Sequence, residues 1–483
     1  MDGDAGAVSD AILIDNESLT EMSQIIANRL SVSVSSLDCV MLEPTKEELK
    51  RFKFQDTNIR ALQARFALIK YLNRLVTPLL HYIDITLFYS KYENKSDTSH
   101  KQQAALQQSM STKKITKSLS AQVHELKGCY FMSTKKSVFD VLLASTATSG
   151  STSTRSALNS NVESRPRITI NRIKASRAKQ SGTDTTGKNS IFGQLFEGLR
   201  NYRWSTFKTN KKGEQLWNVQ FSGEGSIDVG GPYRESLTYA IQDLQSSATP
   251  LFILCPNGKN SVGLNREKWI PNPSCTSSLY LQMYEFVGVL MGIALRTKQT
   301  LAFDLPALVY KQLLTGANNL NLDISDLEAI DKLCVQALNE IKNVDEANFE
   351  FIVYEAFTTS LSNGHIVELC ENGKNIDVTY KNSEQFISLV IKKRLSECAK
   401  QIEHIKRGLN LICQQRILSL FTWYDLERMI CGDPNIDVEV LRKHTNYQGG
   451  ISSTSTVVKH FWNTLHSFTQ YERQLFLRFV WGR

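Results

Sequence analysis

No two cysteines in these 483 residues are spaced as CxxC, and no cysteine and histidine set has zinc-finger spacing. The 9 cysteines are scattered from Cys39 through Cys129, Cys255, Cys275, Cys334, Cys370, Cys398 and Cys413 to Cys431. That pattern argues against a structural metal and for free thiols in a reducing, cytoplasmic setting. The acidic start, MDGDAGAVSDAILIDNESLTEM, lacks the basic residues and apolar core of a signal peptide. Long apolar runs are missing too. The stretch from Ala61 to Phe88 is broken by Arg65, Lys70, Arg74, Pro78 and Asp84, which predicts soluble helices instead of a membrane span.

Catalytic signatures are equally scarce. There is no GxSxG elbow, no HExxH helix and no EF-hand loop. Gly223, Gly225 and Gly230 do not complete a GxGxxG, because position 228 is Asp228, and no GK[ST] follows. No nucleotide, metal or other cofactor is therefore expected. The 8 histidines are spread from His81 to His466, so spacing supports no Cys/His dyad. Cys413 and Cys431 lie in apolar runs and read as buried structural thiols. Cys275, in the polar stretch Pro273-Ser274-Cys275-Thr276, reads as the most exposed, with nothing nearby to activate it.

What is present is the composition of a folded chain of two or three domains, 41% hydrophobic and 22% charged. Net charge is +8, but the basic residues are interleaved with acids, which reads as a solvated surface and not as a nucleic-acid groove.

Residues 1–165 read as an upstream helical region. Asp56 could cap a helix that buries Ile59, Leu62, Phe66, Ile69 and Leu72. Two polar segments, about 91–120 and 144–164, are too poor in apolar residues to offset their ordering entropy and read as mobile loops. Ile168 and Ile170 predict a short strand followed by a basic helix bearing Arg172, Lys174, Arg177 and Lys179. Those charges, with Arg165 and Arg167, could form a targeting or acidic-partner patch, or simply an exposed face.

From about Ser190 helices and short strands alternate. Trp217, Val219 and Phe221 face one side of a half-buried strand, and Pro232 suits the first turn of a following helix. Tyr284 to Ala294 is apolar nearly all round, and Gly288 and Gly292 would let a neighbour approach closely. Its dozen or so apolar residues, closed by Arg296 and Lys298, are too few for a membrane dimer motif. A helix follows Pro306 to Leu314. Asp326 could open another, with Cys334, Leu338 and Ile341 on one face at i, i+4 and i+7. Asn372-Gly373 reads as a hairpin turn between Val367–Leu369 and Ile376–Val378, and Ser383 could cap a helix carrying Phe386, Leu389 and Val390.

From about Phe192 to Arg483 the landmarks WNVQF, IDVGGPYRE, YEFVGVLMGIAL, LPALVYKQLL, DLEAID, VELCENGKNIDVT, FISLVIKKRL, LERMICG and LRKHTNY stand in one order. That order resembles the HECT-type E3 ubiquitin-protein ligases, and NPSC with FLRFVWGR is most similar to the very large HERC-type members. The resemblance implies an α+β, mainly helical, bilobal architecture. Its N-lobe would occupy residues 166–432, including a small E2-binding subdomain at about 322–399, and residues 433–483 would be a hinge and the first half of the C-lobe.

The implied activity is ubiquitin transfer to substrate lysines: the N-lobe recruits a ubiquitin-loaded E2 enzyme, and a C-lobe cysteine carries ubiquitin as a thioester. The implied partners are an E2, ubiquitin and protein substrates, without membrane. Family matching puts Cys334, Leu338 and Ile341 on one wall of the E2 groove and Phe386 and Val390 on the other. Val390 stands where other members often have an aromatic. The same five could instead simply fill the subdomain core. The implied hinge is Gly432, Asp433, Pro434 and Asn435. The family's nucleophile, in a Leu-Pro-x-x-x-Thr-Cys-Phe context, has no counterpart before Arg483. The expectation is therefore an unfinished C-lobe and no thioester on this chain. A catalytically inactive E2-binding regulator and a helical interaction scaffold are the alternatives.

Overall fold

Capping side chains set where the first helices begin. Asp15 accepts from Ser18 N–H to open Asn16–Arg29, Thr45 and Glu48 form a reciprocal capping box on Lys46–Arg51, and Asn58 accepts from Arg60 N–H to open Ile59–Val76. The cap of the last helix is thus Asn58 and not Asp56. A computed structural model describes residues 14–30, 32–83, 119–147, 165–225, 230–315, 322–433 and 436–481. The chain forms two compact units: one holds Met1–Ser145, Arg416–Asp425 and Asp433–Arg483, the other Thr146–Gln415 and Leu426–Gly432.

In the first unit, Leu19, Met22 and Ile26 of one helix meet Leu62, Phe66 and Ile69 of another, together with Phe131. Asn73, buried in the same place, donates to Cys129 O and accepts from Phe131 N–H, both at 2.8 Å. These bonds satisfy the turn that leads into the helix Met132–Ser145. Of the two segments expected as loops, 91–118 and 148–164 lie outside the described residues. Their margins differ from expectation: Leu119 and Ser120 open the helix Leu119–Glu125, and Ala144 and Ser145 end Met132–Ser145.

The same unit carries the helices Val438–Lys443, Thr456–Ser467 and Gln470–Trp481. Val438, Val458, Trp462 and Leu465 form their core, and Trp462 Nε1 donates to Tyr447 Oη at 2.8 Å. Phe461, Leu475 and Phe479 remain exposed.

In the second unit the expected strand at Ile168 and Ile170 spans Arg167–Ile170. It pairs in parallel with Asn218–Phe221, in the register Ile168↔Val219 and Ile170↔Phe221. The basic helix Arg172–Ser181 follows. Arg172 bonds Glu235 at 2.7 Å and lies 3.6 Å over the Phe221 ring, whereas Lys174, Arg177 and Lys179 are exposed. Two antiparallel pairs complete the strands among the described residues, Phe252–Leu254 with Trp269–Pro271 and Thr358–Ser360 with Ile366–Glu368.

The centre of this unit is the helix Ser278–Thr297, long and apolar enough by length and composition to cross a membrane, but mostly buried against its neighbours. It crosses the helix Ala399–Ile412 at glycines on both sides. A Cβ on Gly288 would lie 1.8 Å from Ile405 O, and one on Gly408 1.7 Å from Glu285 O, so only glycine permits this backbone approach. Arg296, itself buried, donates from Nε to Ile412 O at 2.8 Å and so ties the ends of the two helices together.

Four local expectations are corrected here. Asp326 does not open the helix bearing Cys334: it sits in the short helix Ile324–Glu328, which Asp323 caps, and Asp331 caps Lys332–Asn343. Asn372 does adopt a left-handed turn, with φ 58°, but its flanks do not pair with each other. Ile366–Glu368 pairs with Thr358–Ser360, while Asp377 bridges Ala356. Ser383 is the first residue of the helix Ser383–Ser396 and not its cap; its hydroxyl donates to Tyr380 O at 2.9 Å. Cys275 is only 3% exposed, with Sγ 3.3 Å from Pro250 O, and Cys370 is the exposed thiol.

Candidate functional site

Residues 322–399 build their own small core on a buried ionic anchor. Asp331 uses Oδ1 to cap Cys334 N–H at 3.0 Å, while its Oδ2 accepts from Arg394 Nη2 at 2.8 Å. Arg394 also donates from Nε to Glu397 at 3.2 Å. Burial opposes the Arg394 charge, but Glu397 and Asp331 outweigh it and hold its pKa above the usual guanidinium value. The anchor fixes the start of Lys332–Asn343 against the end of Ser383–Ser396. Lys311 Nζ adds a contact to Asp326 Oδ1 at 2.7 Å.

On that frame the five residues expected to line a groove come together. Leu338, Phe386 and Val390 are buried in one cluster with Phe349, Val353, Phe357 and Val378, and Cys334 and Ile341 pack half-buried against it. The Phe357 and Phe386 rings meet edge to face, with centroids 5.6 Å apart.

Three large apolar side chains are exposed beside this cluster. Phe349 and Val353, four residues apart across the one-turn helix Phe349–Ile352, point inward. Phe351 and Tyr354 are consequently left 75% and 83% exposed, with Ile352 also in solvent. Exposed apolar side chains clustered beside a packed core are the pattern of a docking face. Sequence reasoning missed these three residues. The available signal was the apolar run FEFIVY, whose inward and outward members only the packing distinguishes.

Burial disfavours the thiolate at seven of the nine cysteines. Burial pushes Cys275 up to about 11 and both Cys413 and Cys431 up to about 12. Burial also raises Cys129, Cys255, Cys334 and Cys398. Cys431 Sγ lies 3.1 Å from Tyr310 Oη, and Ile430 O accepts from Leu301 N–H at 2.9 Å. These bonds hold the end of the helix Trp423–Cys431. The next residue, Gly432, has φ 87°, a left-handed conformation open to glycine at least cost. Pro434 and Asn435, the other half of the expected hinge, lie outside the described residues.

A family model described as "HECT-domain (ubiquitin-transferase)" matches residues 238–483. Among curated proteins, the mouse (Mus musculus) E3 ubiquitin-protein ligase HERC2 is 34% identical over 321 residues, which are 66% of this chain and 6% of that protein. Its human counterpart is 33% identical over the same coverage. E3 ubiquitin-protein ligase TOM1 of Saccharomyces cerevisiae is 28% identical over 287 residues, 59% of this chain and 8% of that protein. The chain thus matches less than a tenth of the length of these relatives.

Proposed function

Since the chain belongs to the HECT-domain (ubiquitin-transferase) family, we propose that residues 166–432 act as an E2-recruiting lobe. The observation that carries this reading is the apolar face formed by Phe351, Ile352 and Tyr354 beside the Leu338, Phe386 and Val390 cluster. A partner's apolar or aromatic anchor seats on that face and removes it from water, at about 25 cal/mol per Å² buried. Cys334 and Ile341, half-buried at the cluster's edge, border the contact. Gly432, Asp433, Pro434 and Asn435 then serve as the pivot between this lobe and residues 436–483.

The reaction that such a lobe would serve is ubiquitin transfer through a cysteine thioester to substrate lysines. Within these 483 residues no cysteine has the Thr-Cys-Phe context, and seven of the nine thiols are held up by burial. Our reading is that these 483 residues dock a loaded E2 and that none of their nine thiols takes the ubiquitin. Biolayer interferometry of the immobilised chain against a panel of ubiquitin-loaded E2 enzymes tests the docking. Binding by at least one member is expected, and none binding refutes it. Incubation with E1, the same E2 and ubiquitin tests the second clause, since a reducible ubiquitin adduct on this chain would contradict it.

A further inference from the structure

The helix Ile59–Val76 has two apolar faces, and among the described residues only one of them is packed. Ala61, Leu62, Phe66 and Ile69 are buried in the first unit's core. On the opposite side Ala64, Leu68, Tyr71 and Leu75, at i, i+4, i+7 and i+11, form a solvent-facing stripe. At about 100° per residue these four share an arc of roughly 60°. Leu68 and Tyr71 are 60% and 61% exposed, and Leu79 and Tyr82 continue the apolar surface beyond the helix end. Scattered exposed leucines need no explanation, but a continuous stripe at this spacing is the seam that one helix offers another.

Charge says what kind of helix fits. Arg60, Ala67 and Arg74, seven residues apart, run along one flank of the stripe, all of them exposed. There is no Asp or Glu from Asn58 through Ile83. Neither Arg60 nor Arg74 pairs with a carboxylate among the described residues, whereas Arg65 and Lys70 on the inner side bond Asn16 and Leu37 O. A second copy of this chain is a poor occupant, because it would bring arginine against arginine with no acid on the helix to offset them. An anionic bilayer is also a poor match: two flanking arginines fall well short of the basic cluster that holds a peripheral helix on lipid.

We propose that this face docks an acidic amphipathic α-helix of a partner protein. Its apolar stripe packs on Leu68, Tyr71 and Leu75, and its carboxylates lie along Arg60 and Arg74. The inference does not depend on E2 recruitment, which concerns a different surface.

The test uses the full 483-residue chain and two monomeric helical peptides with the same leucine stripe, one flanked by glutamates and the other by lysines. Fluorescence polarisation should show binding of the glutamate peptide, weakening as salt rises. Y71E/L75E should weaken it by more than about tenfold with an unchanged thermal midpoint. R60E/R74E should reverse the preference toward the lysine peptide. Equal binding of both peptides, or of neither, overturns the proposal. So does co-sedimentation of the chain with phosphatidylserine vesicles that Y71E/L75E abolishes, or a concentration-dependent dimer in sedimentation velocity that the same variant dissolves.

Discussion

Lys135 Nζ and Asp425 Oδ2 form an ion pair at 2.5 Å in the first unit, with only 2% and 11% of their side chains exposed. The same carboxylate oxygen accepts from Thr422 N–H at 2.9 Å and from the Thr422 hydroxyl at 3.0 Å, so one group both neutralises a buried ammonium and holds the turn before Trp423–Cys431. Beside it, the Phe139 and Phe421 rings meet edge to face, with centroids 5.1 Å apart. Residues nearly 300 apart in sequence are thereby joined in one core.

Removing one partner of this pair should cost far more than removing both. Lys135→Met leaves a buried carboxylate without its cation and should destabilise the chain by about 3–5 kcal/mol. The double variant K135M/D425N keeps a polar partner for Thr422 and should recover part of that loss. Urea unfolding of the three proteins measures the difference; an additive double variant would show that the two residues are not coupled.

Stability should also depend on His124. Burial, aided by the nearby Lys127 charge, lowers its pKa to about 4 from an ordinary 6.5. Between those values the unfolded chain takes up the imidazole proton and the folded chain does not, so this contribution is complete above 6.5 and is lost as pH falls toward 4. Because the ring is partly exposed, the effect should be on the order of 1–2 kcal/mol. Glu17, raised chiefly by burial, acts with the opposite sign, since its folded form keeps a proton longer as pH rises. Comparing the wild type with H124Q from pH 7 to 4 isolates the imidazole: the wild type should lose more stability, and parallel curves would refute the assignment.

Gly288→Ala should be among the most damaging of single-methyl additions. Its new Cβ would meet Ile405 O on a packed helix, and neither backbone can yield cheaply. A loss of about 3 kcal/mol or more is expected. Gly182→Ala provides the contrast: φ there is 62°, but nothing lies within 4 Å, so only about 1–2 kcal/mol of conformational strain applies. Thermal midpoints of the two variants rank them, and equal losses would mean the helix crossing is looser than its geometry.

Patterns set by local periodicity were legible in the sequence. The buried helix around Gly288 and Gly292 and the strand at Val219 and Phe221 follow from spacing, and the packing of Cys334, Leu338, Ile341, Phe386 and Val390 into one cluster is the core-filling alternative that the sequence left beside the groove walls. Features decided by distant partners were not. Asp56 and Asn58 are both competent caps, and only the helix start distinguishes them. The left-handed turn at Asn372 is local, but the strand partners lie at 356–360, upstream of it. Cys275 sits among polar neighbours in sequence, yet Pro250, 25 residues away, covers it. The outward face of FEFIVY was hidden for the same reason, since exposure depends on what Phe349 and Val353 pack against.

E2 docking on the Phe351, Ile352 and Tyr354 face is tested by the affinity of the F351E/Y354E variant for the E2 that binds the wild type. Both side chains are exposed, so the variant should fold normally, which its thermal midpoint verifies. If the E2 docks on this face, affinity falls by at least about tenfold. Unchanged affinity in the folded variant would contradict it.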